Sequence, residues 1–98
     1  MKNKTFTLSC DADSAQYLAE ALSVYAHAAY PPGGSDCAQV SHQALLESAR
    51  EILSNAANQG AELRRRQRTL MKAAVKWYFS EEGPGEASLA EPLVALFP

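Results

Sequence analysis

The segment DADSAQYLAEALSVYAHAAY (residues 11–30) decides how the rest of the chain is read. Leu18, Ala21, Leu22, Tyr25 and Ala29 recur three and four residues apart, the spacing of one face of an α-helix. Tyr17, Val24 and Ala28 widen that face, while Gln16, Glu20, Ser23 and His27 mark the side turned to water. Either Asp11 or Asp13 can cap the start, and Gln16 stands three residues after Asp13, as in a capping box. Pro31 and Pro32 stop the helix near Tyr30, because the residue before a proline is disfavoured in helical geometry. PPGG (residues 31–34) then reads as a loop.

Upstream, KTFTLS (residues 4–9) alternates strictly, with Phe6 and Leu8 on one side and Thr5, Thr7 and Ser9 on the other. That is one short strand. A lone strand leaves its own backbone unsatisfied, so it requires a partner strand. Downstream, Asp36 caps a second helix with Gln39 three residues on. Its stripe is Ala38, Leu45, Ala49, Ile52, Leu53 and Ala56, broadened by Val40, Ala44 and Leu46, and Gly60 is a stop signal. A third helix is expected over about residues 61–80, with Leu63, Leu70, Met71, Ala74, Val75, Trp77 and Tyr78 inward. The weak break at Gly60 leaves open one long bent helix over residues 36–80. EEGPGE (residues 81–86) is linker-like, and the tail carries Leu93, Val94, Leu96 and Phe97, which can dock on the chain's own strand, on a second copy or on a client.

The expected architecture is therefore mainly α. A short N-terminal β-strand precedes about three amphipathic helices in one domain over residues 1–80. A linker follows over 81–88, then an apolar tail over 89–98. With only 98 residues the core is limited, so stabilisation by a dimer or another partner is expected. Hydrophobic and charged contents of 47% and 20% fit a folded globular chain, and no run of residues is apolar enough to span a bilayer. The first residues lack a signal-peptide core, so a cytoplasmic location and no membrane association are expected. Cys10 and Cys37 lack the C-x-x-C spacing of a redox or zinc site and read as thiols, with a disulfide as the alternative.

Charge is segregated along the chain. Residues 10–63 carry seven acids against one cation, Arg50. Arg64, Arg65, Arg66, Arg68, Lys72 and Lys76 follow with no acid among them, and they are six of the nine lysines and arginines. On a helix, Arg65, Arg68, Lys72 and Lys76 stack into one cationic stripe. The bland reading is a solvated face; the sharp one is a surface for an anionic partner. Trp77, Tyr78 and Phe79 adjoin it, and Trp, Tyr and Arg dominate interface energetics.

Enzyme signatures are missing: the sequence has no glycine-rich phosphate loop, no G-x-S-x-G and no H-E-x-x-H. His27 and His42 fall on different helices, and Cys37 and His42 lie five apart, so neither pair shares a helix face. No catalytic residue, metal ligand or cofactor is expected. The expected function is a small non-catalytic regulator that masks a surface of a larger protein, in the manner of an antiactivator or inhibitor. The expected partner surface is acidic or mixed polar and apolar. The candidate contact residues are Arg64, Arg65, Arg68, Lys72, Lys76, Trp77 and Tyr78.

The strand at 5–9, the helix from Asp13, Gly33-Gly34 and the second helix from Asp36 to Leu45 together resemble the ribbon-helix-helix regulators over residues 4–53. The resemblance implies a dimer whose strands pair into a ribbon that reads the major groove of DNA. Asn3, Thr5 and Thr7 would then touch bases, and the start of the second helix near Asp36 would meet phosphate. A DNA-binding regulator is accordingly the alternative function, and RNA binding through the arginines a third.

Overall fold

The structure, a computed structural model, describes residues 4–97. The chain runs β1 (Thr5–Leu8), α1 (Ala12–Ala29), α2 (Asp36–Asn55), β2 (Ala61–Arg64), a 3-10 turn (Arg65–Gln67), α3 (Arg68–Tyr78), a second 3-10 turn (Ala87–Leu89) and α4 (Ala90–Val94). It is mainly helical, with a two-stranded antiparallel sheet formed by its first and second strands.

Helix α1 begins at Asp11, whose Oδ1 accepts from the Ser14 backbone N–H at 2.8 Å. That bond satisfies one of the orphan donors of the first turn. Ala15, Leu18, Ala19, Ala21, Leu22 and Ala26 are buried. Four of those six are alanines, whose short side chains let α2 and α3 both pack closely along α1. Ala28 and Ala29, expected on the inward face, lie outside it.

Helix α2 is capped by Ser35 rather than Asp36. The Ser35 hydroxyl accepts from the Ala38 N–H at 3.2 Å, and Asp36 lies within the first turn. Ser35 has the extended backbone that a cap needs (φ −62°, ψ 166°), whereas Asp36 is already helical. Leu45, Ala49, Ile52 and Ala56 enter the core as the periodicity predicts. Val40 and Leu53 do not, remaining 67% and 58% exposed.

The third helix is shorter than its expectation. Residues 61–64 form β2 and residues 65–67 a 3-10 turn, so the helix begins only at Arg68. This also removes the long bent helix over 36–80. Two causes combine. Gly60 sits at φ +93°, a conformation that breaks any continuous helix. Beyond it Ala61, Glu62, Leu63 and Arg64 alternate buried and exposed, which suits pairing with β1. The pairs are Thr5 with Arg64, Phe6 with Leu63, Thr7 with Glu62 and Leu8 with Ala61. The demand of β1 for a partner thus outweighs the helix propensity of Glu, Leu and Arg. The partner that β1 requires is supplied by β2 of the same chain.

Past α3, residues 80–86 fold back in turns: Gly85 N–H donates to the Tyr78 carbonyl at 2.8 Å and Gly83 N–H to the Ser80 carbonyl at 3.1 Å. A Cβ on Gly83 would stand 2.2 Å from the Trp77 carbonyl oxygen, so only glycine fits there. The tail docks on the chain's own sheet and helices. Leu93 and Phe97 are buried in the same core as Phe6, Leu22, Ile52, Met71 and Phe79, and the Phe97 ring meets Phe6 edge-on at 6.3 Å between centroids.

Candidate functional site

Helix α3 is sharply two-sided. Met71, Ala74, Val75 and Tyr78 are buried, and the opposite side carries Arg68, Thr69, Lys72, Ala73 and Lys76 along one shallow open groove. Arg68, Lys72 and Lys76 are spaced by four residues, which sets successive cations about 6 Å apart along the axis. No acid among the described residues lines that groove. Among the described residues Lys72 and Lys76 have no carboxylate partner. The surface is therefore a fixed row of positive charge on a rigid element.

The other candidates go elsewhere because β2 displaces the start of α3. Arg64 projects from the outer face of the sheet, opposite Thr5. Arg65 lies in the 3-10 turn, and its Nε donates to the Thr5 carbonyl at 3.1 Å, a contact that staples β1 to the turn. Trp77 is half-buried beside the cationic row and packs on Tyr25, with centroids 5.6 Å apart. Tyr78 is not a surface residue. It is 7% exposed, and its hydroxyl donates a short hydrogen bond to a Glu20 carboxylate oxygen. That bond, then burial, pushes the Tyr78 hydroxyl up to about 12. Phe79, at 2% exposure, is the most deeply buried of the three consecutive aromatics.

The strand residues of the DNA alternative are also placed, apart from Asn3, which lies outside the described residues. Thr5 and Thr7 face outward, but their hydroxyls donate to the two carboxylate oxygens of Glu62 at 2.8 and 2.9 Å. These two bonds hold the Glu62 carboxyl below the usual carboxylate range. An ionised acid thus occupies the middle of the face that would meet bases. Asp36 sits in the first turn of α2, where it would meet a phosphate as a like charge.

Two features were not anticipated. One is a groove of about 380 Å³ between α2 and β2, with Val40, Glu47, Glu51, Leu63, Arg64 and Arg66 on its walls. Much of its polarity is internal: Glu51 accepts from Asn55 Nδ2 at 2.9 Å and from the Glu62 N–H at 3.2 Å. The other is the meeting of His27 and His42, from α1 and α2, with ring centroids 4.8 Å apart. Helical spacing within either segment gives no hint of this, since it depends on how α1 and α2 cross. Cys10 and Cys37 are free thiols, the first half-buried and the second exposed. Burial, and then the neighbouring Asp11 charge, push the Cys10 thiol up.

Among the described residues no group of three or more His, Cys, Asp or Glu is placed to hold a metal ion, and no helix is long and apolar enough to cross a membrane. No protein-family model matches the sequence, and neither a curated protein nor a solved structure matches it.

Proposed function

We propose that this chain is a small non-catalytic regulatory protein that binds and masks an acidic surface of a larger protein, as an antiactivator or inhibitor does. The observation that carries the reading is the acid-free row on α3, where Lys72 and Lys76 project from a buried, well-anchored helix. Cations that have no partner among the described residues are available to a complementary surface, where they speed encounter and fix register. Arg68 extends the row, and the half-buried Trp77 flanks it with aromatic surface suited to the centre of an interface. The alternative of a ribbon that reads DNA has less support, since Thr5 and Thr7 already donate to Glu62.

The same reading includes action in the cytoplasm and self-association as a homodimer. Unpaired Cys10 and Cys37 suit a reducing compartment. Exposed Val40 and Leu53 are apolar side chains that a second copy can cover. Sedimentation velocity measures the association directly.

The test is capture of the partner by tagged wild-type protein and by the Lys72→Glu/Lys76→Glu double variant, each with and without nuclease. The expected result is a nuclease-resistant protein partner that the double variant no longer retains while its melting temperature is unchanged. Capture that disappears with nuclease, or that survives the charge reversal, removes the reading.

A further inference from the structure

His27 and His42 are pinned in a common chemical state. His42 Nδ1 lies 3.0 Å from the Ala26 carbonyl oxygen and 2.8 Å from that of Tyr30, at the end of α1. His27 Nδ1 lies 2.9 Å from the Ser23 carbonyl oxygen, one turn back on the same helix. Carbonyl oxygens only accept, so in each neutral ring Nδ1 carries the proton and Nε2 carries the lone pair. Neither Nε2 has a partner among the described residues. Histidines that bind metals show this arrangement: one nitrogen is oriented by a hydrogen bond to a carbonyl and the other is left for the ion.

The separation of the rings is within the span that one shared ion can bridge. A zinc–nitrogen bond of about 2.0–2.1 Å places the ring centre roughly 3.2 Å from the metal, so two rings at a near-tetrahedral angle stand about 5 Å apart. The observed separation is 4.8 Å, with the ring planes inclined by 74°. Access is open as well. His27 is exposed, and His42 lines a cleft with Tyr30, Pro31, Pro32, Gly33 and Gln39.

We propose that His27 and His42 form a two-histidine site for a divalent transition-metal ion of the zinc class, bound through the two Nε2 atoms with water in its remaining positions. The ion bridges α1 to α2 near the PPGG loop, so binding tightens the packing of the two longest helices. Two protein ligands make a site of modest affinity that fills only when the ion is supplied. No closed structural zinc site is implied, because those have four protein ligands.

The test titrates zinc chloride alone into the full chain carrying Cys37→Ser, which removes the exposed thiol as a competing ligand. A second preparation adds Cys10→Ser, so that no thiol can account for the binding, since a coordinating thiol is deprotonated by the ion. Calorimetry is expected to show one ion per chain, with a rise in melting temperature, since the ion binds the folded chain. His27→Ala is expected to weaken binding at least tenfold and to abolish that rise, while leaving the metal-free melting temperature unchanged because the side chain is exposed. Nitrogen NMR of the imidazoles supplies a second readout, in which zinc shifts the Nε2 signals of both rings and leaves Nδ1 protonated. No saturable binding by the Cys37→Ser protein, or undiminished binding by the His27→Ala variant, overturns the proposal.

Discussion

The outer face of the β1–β2 ribbon and the outer face of α3 are both polar and both open to solvent, yet they dispose of their side chains in opposite ways. On the ribbon the polar groups are turned upon one another: Thr5 and Thr7 donate to Glu62, and the Glu62 N–H donates to Glu51. On α3, Lys72 and Lys76 have no carboxylate to meet among the described residues. A saturated face contributes to holding the fold, whereas an unsaturated one retains its capacity to bind. Polarity alone does not separate the two. The inventory of donors and acceptors does.

The comparison can be broken at several depths. The largest effect is expected beneath the ribbon, where Leu63 is 3% exposed and pairs with Phe6. Leu63→Ala should cost about 2–5 kcal/mol through lost burial and a cavity, measured by urea unfolding. Gly60→Ala comes next. Its Cβ would lie 2.6 Å from Thr7 Cγ2 at a φ of +93°, and a loss of more than about 1 kcal/mol is expected.

Tyr78→Phe is expected to cost about 1.5 kcal/mol, the low end for a hydrogen bond to a charged group, since the Glu20 acceptor is left near water. The same bond has a signature in base. The hydroxyl of Tyr78 is raised to about 12 in the folded chain, against about 10 for an exposed phenol. Its contribution is therefore complete below about pH 10 and vanishes as pH rises through about 12. Ultraviolet titration of wild type against Tyr78→Phe isolates that step.

Charge reversal on the unsaturated face should barely register in stability. Lys72→Glu/Lys76→Glu is expected to stay within about 0.5 kcal/mol of wild type while losing its partner. A destabilised double variant would show that α3 cations support the fold and would erase the contrast. The smallest effect is in acid. Because the folded Glu62 carboxyl is lowered by Thr5 and Thr7, its contribution is present above the ordinary carboxylate value and fades as pH falls through the lowered one. Carboxyl carbon shifts should follow that fall, and Thr5→Ala/Thr7→Ala should move the midpoint back up.

How much of this was legible in the sequence depends on the range of the interaction that fixed each element. The strand at Thr5–Leu8 and helix α1 are readable because alternation and helical spacing are local properties, and the proline pair fixes one end. Residues 61–64 are not: AELR alone suits a helix, and only its pairing with the distant β1, Phe6 opposite Leu63 and Leu8 opposite Ala61, makes it β2. That one misassignment scattered the expected cationic stripe, moving Arg64 to the sheet and Arg65 to a turn. Lys72, Lys76 and Arg68 kept their shared face because they lie past the point where α3 truly starts. Helical spacing puts Tyr78 inward and its aromatic character suggests a contact residue, and its burial decides for the first.

The pairing of β1 with β2 joins the start of the described chain to its middle, and the contact of Phe6 with Phe97 joins its two ends. A plain bundle of three consecutive helices assembles from near neighbours and ranks among the quickest folders. Here the helices can form early, but the sheet and the ring contact must wait for a large loop to close, and closure becomes costlier as the loop lengthens. Folding should therefore be slower than the helical content suggests. The barrier should lie at docking the outermost segments, so that Phe97→Ala mainly speeds unfolding and leaves the early formation of α1 and α2 intact.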